Sequence, residues 1–107
     1  MNRLLALVLA ASVSVPALAA GNAESGRQKS QACAACHGAD GNQPTTPDFP
    51  RLAGQHPDYL LKALRDYKSG ARKNPIMAGQ VANLTQQDMA DLAAFFSSQA
   101  GSLHVKR

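Results

Sequence analysis

Two cysteines and a histidine stand together in Cys33-Ala34-Ala35-Cys36-His37, and this segment restricts the fold more than any other. Thiols three residues apart project from the same side of a helical turn, and a histidine directly follows the second. This is the spacing of the c-type haem attachment motif. The thiols would form thioethers with the vinyl groups on one haem edge, and His37 would lie beneath the iron as its proximal ligand. We therefore expect one covalently bound haem c and a fold built around it.

The same cysteine pair has three other interpretations. In an oxidising compartment it could be a simple disulfide, and in a βαβ context a thioredoxin-like redox pair. It could also be half of a zinc site that His56, His104 or an acidic side chain completes. However, the chain has no alternating strand pattern, and its 107 residues include no Trp, three Phe and two Tyr. A chain this small, with so few large apolar side chains, needs a covalent cross-link or a cofactor to stabilise its fold. Haem is therefore favoured.

The first 19 residues have the features of a secretory signal peptide. Arg3 supplies a positive start, an almost wholly apolar stretch follows from 4 to 15, and Ala17-Leu18-Ala19 is a cleavage pattern. The apolar stretch is short for a membrane anchor, so we expect cleavage after Ala19 or Ala20. The predicted organisation is a cleaved signal peptide over 1–19 and one haem-binding domain over 20–107, located in the periplasm.

The charge balance is mildly basic and does not indicate a nucleic-acid-binding protein. Without Arg3, ten Lys and Arg residues stand against seven Asp and Glu, and no basic stripe with interleaved aromatic residues is present. Five of the basic residues fall within twelve positions: Lys62, Arg65, Lys68, Arg72 and Lys73. Each can be an ordinary solvated side chain, but as a group they could orient an encounter with an acidic partner.

The apolar periodicity predicts an all-α fold with three to four short helices and long loops. Helical stretches are predicted roughly from Ala23 to Cys33, from Pro57 to Gly70, and from Thr85 to Gln99. The segments 38–54 and 71–84 contain several Gly and Pro residues and are predicted to be loops. Loops of this length in so small a domain are expected to wrap a ligand.

The second axial ligand of the iron has four candidates. Met89 lies on the apolar stripe of the last helix, where core packing is its ordinary role. His56 precedes Pro57 as a turn residue, and His104 falls in the tail. Met77 lies outside any helical stripe, 40 residues after His37, so the chain between them can pass around the haem. We predict His37 and Met77 as the metal ligands; His/Met ligation raises the reduction potential.

The chain resembles a class I c-type cytochrome, and in particular one half of the two-haem bacterial periplasmic cytochromes c and their small one-haem relatives. The resemblance covers essentially all of the chain after the signal peptide and implies a cytochrome c domain over 20–107. It is carried by Cys33-Ala-Ala-Cys-His-Gly-Ala-Asp-Gly41, Phe49-Pro-Arg-Leu-Ala-Gly-Gln55 with Tyr59-Leu60, Gly70-Ala-Arg-Lys-Asn74 before Met77, and Leu84-Thr85 through Phe95-Phe96.

The resemblance implies that the first and last helices cross and that haem lies in a cleft with one edge exposed. Gly26 would then be the point of close approach to Phe95 or Phe96. By position, Pro50 would offer its carbonyl to the ring N–H of His37 and so fix the tautomer. Arg72 and Asn74 would lie near the haem edge and Met77.

The expected function is that of a periplasmic single-electron carrier, not an enzyme, with no small-molecule substrate and no nucleic acid. Its partners would be redox proteins that dock transiently: a membrane quinol-oxidising complex or a dehydrogenase as donor, and a terminal oxidase or reductase as acceptor. A haem subunit of a periplasmic dehydrogenase complex is one alternative. A ligand-binding haem protein is another, if the sixth position is open. The two-haem relatives have a second similar domain, whereas from this sequence we expect a single haem domain.

Overall fold

The computed structural model describes residues 21–101, which form five α-helices and, over this range, no strand. The helices are α1 (Ala23–Lys29), α2 (Gln31–His37), α3 (Pro57–Ser69), α4 (Pro75–Val81) and α5 (Gln86–Ser98). The predicted all-α class is confirmed, although the number of helices is five rather than three to four. The predicted signal peptide and His104 lie outside the described residues.

Local sequence signals account for the two long helices. Pro57 opens α3 with the fixed φ that suits the first helical position, and Gly70 ends it at φ 85° in the left-handed region that glycine tolerates. The start of α5 is a capping box, in which Thr85 accepts from the Asp88 amide and Asp88 accepts from the Thr85 amide. Both helices were predicted at these positions.

The first predicted helix is in fact two. Ser30 interrupts it between α1 and α2, and its hydroxyl donates to the Arg27 carbonyl at 2.7 Å. A serine that bonds a neighbouring carbonyl competes with the helical pattern, which explains why the single stretch to Cys33 was wrong.

The second predicted loop contains a helix. Asn74 and Pro75, interpreted from the sequence as loop residues, are instead the N-cap and first residue of α4. The prediction of an unstructured 71–84 segment was therefore wrong. Met77 lies in the first turn of this short helix.

The core is small and centres on α5. Its buried cluster consists of Leu60 of α3 together with Leu92, Ala93, Phe95 and Phe96 of α5. The rings of Phe95 and Phe96 meet edge to face with centroids 5.0 Å apart. Because α3 packs against α5 on one side and α1 crosses α5 on another, the last helix fixes the positions of both.

Gly26 lies where α1 crosses α5, and it is the buried residue of α1. A Cβ at this position would come within 2.0 Å of the Asp91 carbonyl oxygen and 2.8 Å of the Phe95 Cβ. The crossing and the approach to Phe95 agree with the expectation from the class I cytochromes, although the closest contact is with the backbone of Asp91.

Within residues 21–101, no helix is long and apolar enough to cross a membrane.

Candidate functional site

A cleft lies between α2, the 48–55 loop, α3, α4 and the inner face of α5. Most of the side chains that line it are apolar, and they include Leu52, Leu60, Leu64, Val81 and Leu92. Cys33, Cys36, His37, Pro50 and Met77 line the same cleft. The structure thus brings every sequence-predicted site residue to one concave, apolar surface.

His37 is held in one orientation and one tautomer. It is the last residue of α2 and only 5% exposed. Its Nδ1 lies 2.8 Å from the carbonyl oxygen of Pro50, and because a carbonyl only accepts, Nδ1 must carry the proton and donate. In the neutral imidazole this tautomer leaves the lone pair on the other ring nitrogen, Nε2, which is then the one able to bind a metal. The Phe49 ring packs beside the imidazole, with centroids 6.1 Å apart.

The two thiols stand one helical turn apart on α2, with His37 directly after the second. Both are free in the structure and half-buried. Cys33 packs against the core cluster, and burial raises the pKa of its thiol. Both therefore face the cleft from the helix that carries His37, the placement that attachment to one edge of a flat ligand needs.

Met77 is half-buried and lines the cleft from α4. The other candidates for the sixth ligand lie elsewhere. Met89 is fully buried in α5 and does not line the cleft, and His56 is the exposed N-cap of α3. Of the candidate side chains within residues 21–101, Met77 alone shares the cleft with His37.

A buried carboxylate that the sequence analysis did not identify links α1 to α5. Asp91 is 3% exposed and accepts from the Asn22 amide at 2.8 Å, from Lys29 Nζ at 2.6 Å and from Gln87 Nε2 at 2.8 Å. Burial acts to raise its pKa, but the bonds from Asn22, Lys29 and Gln87 outweigh it, so the pKa lies below its usual value. The sequence gives no signal for this network except a charged residue beside the apolar stripe of α5.

Lys29 also reaches Asp88, at 2.9 Å. The pKa of Asp88 falls to about 2, chiefly because its carboxylate accepts from the Thr85 amide and secondly because of Lys29. The same two carboxylates raise the pKa of Lys29, Asp91 first. This lysine lines one side of the cleft, yet its charge is already matched by the two carboxylates.

Several basic side chains predicted as a cluster make contacts within the chain. Lys62 pairs with Asp66 at 2.5 Å, Lys68 donates to the Leu84 carbonyl, and the Arg72 guanidinium lies 4.8 Å above the centre of the Tyr67 ring. Of the five predicted cluster residues, Arg72 alone lines the cleft. Its stacking on Tyr67 is a cation–π contact of the kind that orients arginine.

The all-helical fold and the chemistry of this cleft place the protein among the c-type haem proteins. The apolar walls suit a flat apolar cofactor, and thiols, an imidazole and a thioether are the kinds of group to which a haem edge and its iron bind. The sequence model of the Cytochrome c family matches residues 23–100. The chain belongs to the cytochrome c family, and haem c is its cofactor.

Individual relatives agree with this assignment. The chain is 50% identical over 104 residues to cytochrome c4 of Pseudomonas aeruginosa, covering 96% of this chain and 51% of that protein. It is 41% identical over 83 residues to cytochrome c-554(548) of Halomonas halodenitrificans, covering 75% of this chain and 99% of that one. The crystal structure of reduced recombinant cytochrome c4 from Pseudomonas stutzeri superposes with a TM-score of 0.73 at 48% identity, over 78% of this chain and 48% of that one.

The resemblance to class I c-type cytochromes is thereby confirmed. The chain spans about half the length of the cytochrome c4 relatives it matches.

Proposed function

We propose that this protein is a periplasmic carrier of single electrons, in which His37 and Met77 ligate the iron of one haem c. The observation that carries this proposal is the convergence of His37, whose Nδ1 is held by the Pro50 carbonyl, and the Met77 thioether on one apolar cleft. A carrier needs both axial ligands in both oxidation states, since a fixed coordination keeps the structural change on electron transfer small. The cofactor supplies the iron that gains and loses the electron.

The chain's own residues have three tasks in this function. Cys33 and Cys36 anchor the cofactor through thioethers, so that it cannot dissociate. Pro50 holds the tautomer and orientation of His37 through the 2.8 Å hydrogen bond. The apolar walls exclude water, and together with Met77 they favour the ferrous state, which carries one positive charge fewer than the ferric state.

The mouth of the cleft is the proposed docking face. Tyr59 and Ile76 both line the cleft, and they are the large apolar residues most exposed in the described part of the chain, at 51% and 55%. Arg72 lines the same mouth, and Lys73 follows it in the sequence. An apolar patch with basic neighbours suits weak, transient docking with an acidic redox protein.

The partners follow from the carrier function. A membrane quinol-oxidising complex or a periplasmic dehydrogenase would donate electrons, and a terminal oxidase or reductase would accept them. Export through a cleaved signal peptide over 1–19 would bring the chain to the compartment of these partners.

Carbon monoxide tests the ligation, because it binds ferrous haem only where the sixth position is free. We expect the reduced wild-type holoprotein to keep a low-spin c-type spectrum under carbon monoxide. Met77→Leu should bind the gas rapidly and, when oxidised, lose the thioether-to-iron charge-transfer absorption. Met89→Leu makes the same chemical change in the core and should behave like the wild type.

Three results would contradict the proposal. Rapid carbon monoxide binding by the wild-type protein would show an open sixth position and favour the ligand-binding alternative. Binding in Met89→Leu but not in Met77→Leu would show that the ligand is misassigned. Stable co-purification with a dehydrogenase at high salt would instead favour a permanent haem subunit.

A further inference from the structure

The helix that carries Met77 is short and weakly anchored. α4 has seven residues, of which only Val81 is buried, and among the other helices it packs mainly against α3. Helices of this length are unstable in isolation because few hydrogen bonds offset the cost of nucleation. The position of Met77 therefore depends on whatever fixes the first turn of α4.

Asn74 fixes that turn. Its backbone is extended, and its side-chain Oδ1 accepts from the amides of Ile76 at 3.0 Å and Met77 at 3.1 Å. Its backbone carbonyl accepts from the Ala78 amide at 2.8 Å, which closes the first helical turn. Pro75 follows with a restricted φ. One side chain thus holds the amide of the very residue whose thioether faces the cleft.

We infer that Asn74 is the positioning residue for the sixth ligand and sets how often Met77 leaves the iron. This inference rests on the proposed ligation by Met77. Loss of the cap would free the Met77 amide and fray the first turn of α4, so that the open, five-coordinate state becomes more populated. The hydrogen bonds from the first amides of α4 to Asn74 thus control how readily the bond between Met77 and the iron breaks, although they do not contact the iron.

Cyanide binding to the ferric holoprotein measures this lability, since the thioether must leave before cyanide binds. An exposed N-cap contributes about 1 kcal/mol, so Asn74→Ala should accelerate binding about fivefold. Asn74→Ser retains a side-chain oxygen at the cap and should restore a rate near that of the wild type.

Thr85→Ala is the matched control. Thr85 is the exposed N-cap of α5, and its side-chain oxygen likewise accepts from a first-turn amide, on a helix that carries no proposed ligand. This variant should lower the melting temperature at least as much as Asn74→Ala does, while its cyanide-binding rate stays at the wild-type value. The comparison separates the positioning of Met77 from a general loss of stability.

An unchanged rate in Asn74→Ala, or an equal acceleration in Thr85→Ala, would overturn the role of Asn74 and leave the ligation intact. A wild-type ferric spectrum without thioether ligation would overturn the assignment of Met77 and this inference with it. Acceleration in Asn74→Ala alone, with rescue by serine, supports the inference.

Discussion

The crossing of α1 and α5 at Gly26 yields a prediction whose magnitude follows from the structure. In Gly26→Ala, the new Cβ would lie 2.0 Å from the carbonyl oxygen and 2.6 Å from the carbonyl carbon of Asp91, and 2.8 Å from the Phe95 Cβ. Two of these three atoms belong to the backbone of a helix and cannot rotate away. The helices must therefore separate by more than about 1 Å to restore ordinary van der Waals distances.

That separation affects more than packing. The Asn22 amide donates to the buried Asp91 carboxylate at 2.8 Å beside the same crossing, and separation of the helices would lengthen this bond. Overpacking costs about 1–3 kcal/mol, and a buried carboxylate that loses a donor costs about 1–3 kcal/mol more. The better helix propensity of alanine offsets about 1 kcal/mol. We expect Gly26→Ala to lower the free energy of unfolding by about 1–5 kcal/mol.

The assay is denaturant unfolding of the ferric holoprotein, followed by far-ultraviolet circular dichroism. Gly79→Ala is the matched control, because Gly79 lies inside α4 and nothing lies within 4 Å of an added Cβ. This second variant should be more stable than the wild type by about 0.5–1 kcal/mol. Equal stability of Gly26→Ala and the wild type, or a gain like that of Gly79→Ala, would refute the close crossing.

Two further predictions concern charge. The pKa values of Asp88 and Asp91 are lower in the folded protein than in the unfolded chain. The two carboxylates therefore contribute fully to stability above about pH 4. This contribution is lost as the pH falls through the folded pKa values, about 2 for Asp88. Acid titration of the fold by circular dichroism should show this loss, and Asp91→Asn should flatten the curve below about pH 4. An unchanged curve would contradict the network. Reduction by an anionic iron complex should slow as salt rises, and Arg72→Gln should slow it about threefold at low salt, whereas Arg65→Gln, outside the cleft, should have a smaller effect. Equal effects of the two substitutions would contradict steering at the mouth of the cleft.

Local signals in the sequence predict the two long helices and miss the short one. Pro57 and Gly70 delimit α3, and the capping box at Thr85 opens α5, because these signals act within a few residues. Pro75 is ambiguous: a proline both interrupts a helix and favours its first position. Only the cap geometry of Asn74 decides between the two, and that geometry depends on how the preceding chain enters the turn.

The residues of the candidate site likewise fall into those that local sequence signals predict and those that they do not. Cys33, Cys36 and His37 are adjacent in the chain, so one helical turn is enough to place them together. The approach of Pro50 to His37 came from a family resemblance, because no local rule specifies a contact across 13 residues. Asp91 could not be predicted at all, since its partner Lys29 is 62 residues away and meets it only when α1 and α5 cross.

With the ligation proposed above, the iron would also act as a cross-link between α2 and α4. His37 is the last residue of α2 and Met77 lies in the first turn of α4. Bonds from both to one iron would therefore close a loop of 40 residues, as a cross-link does. In the chain-entropy account, a covalent tie around such a loop is worth about 4 kcal/mol, and a weaker bond confers a share of it. A thioether binds ferrous iron better than ferric iron, so the bond from Met77 to iron would be stronger in the reduced protein and weaker in the oxidised protein. We therefore expect the reduced protein to be more stable against unfolding than the oxidised protein.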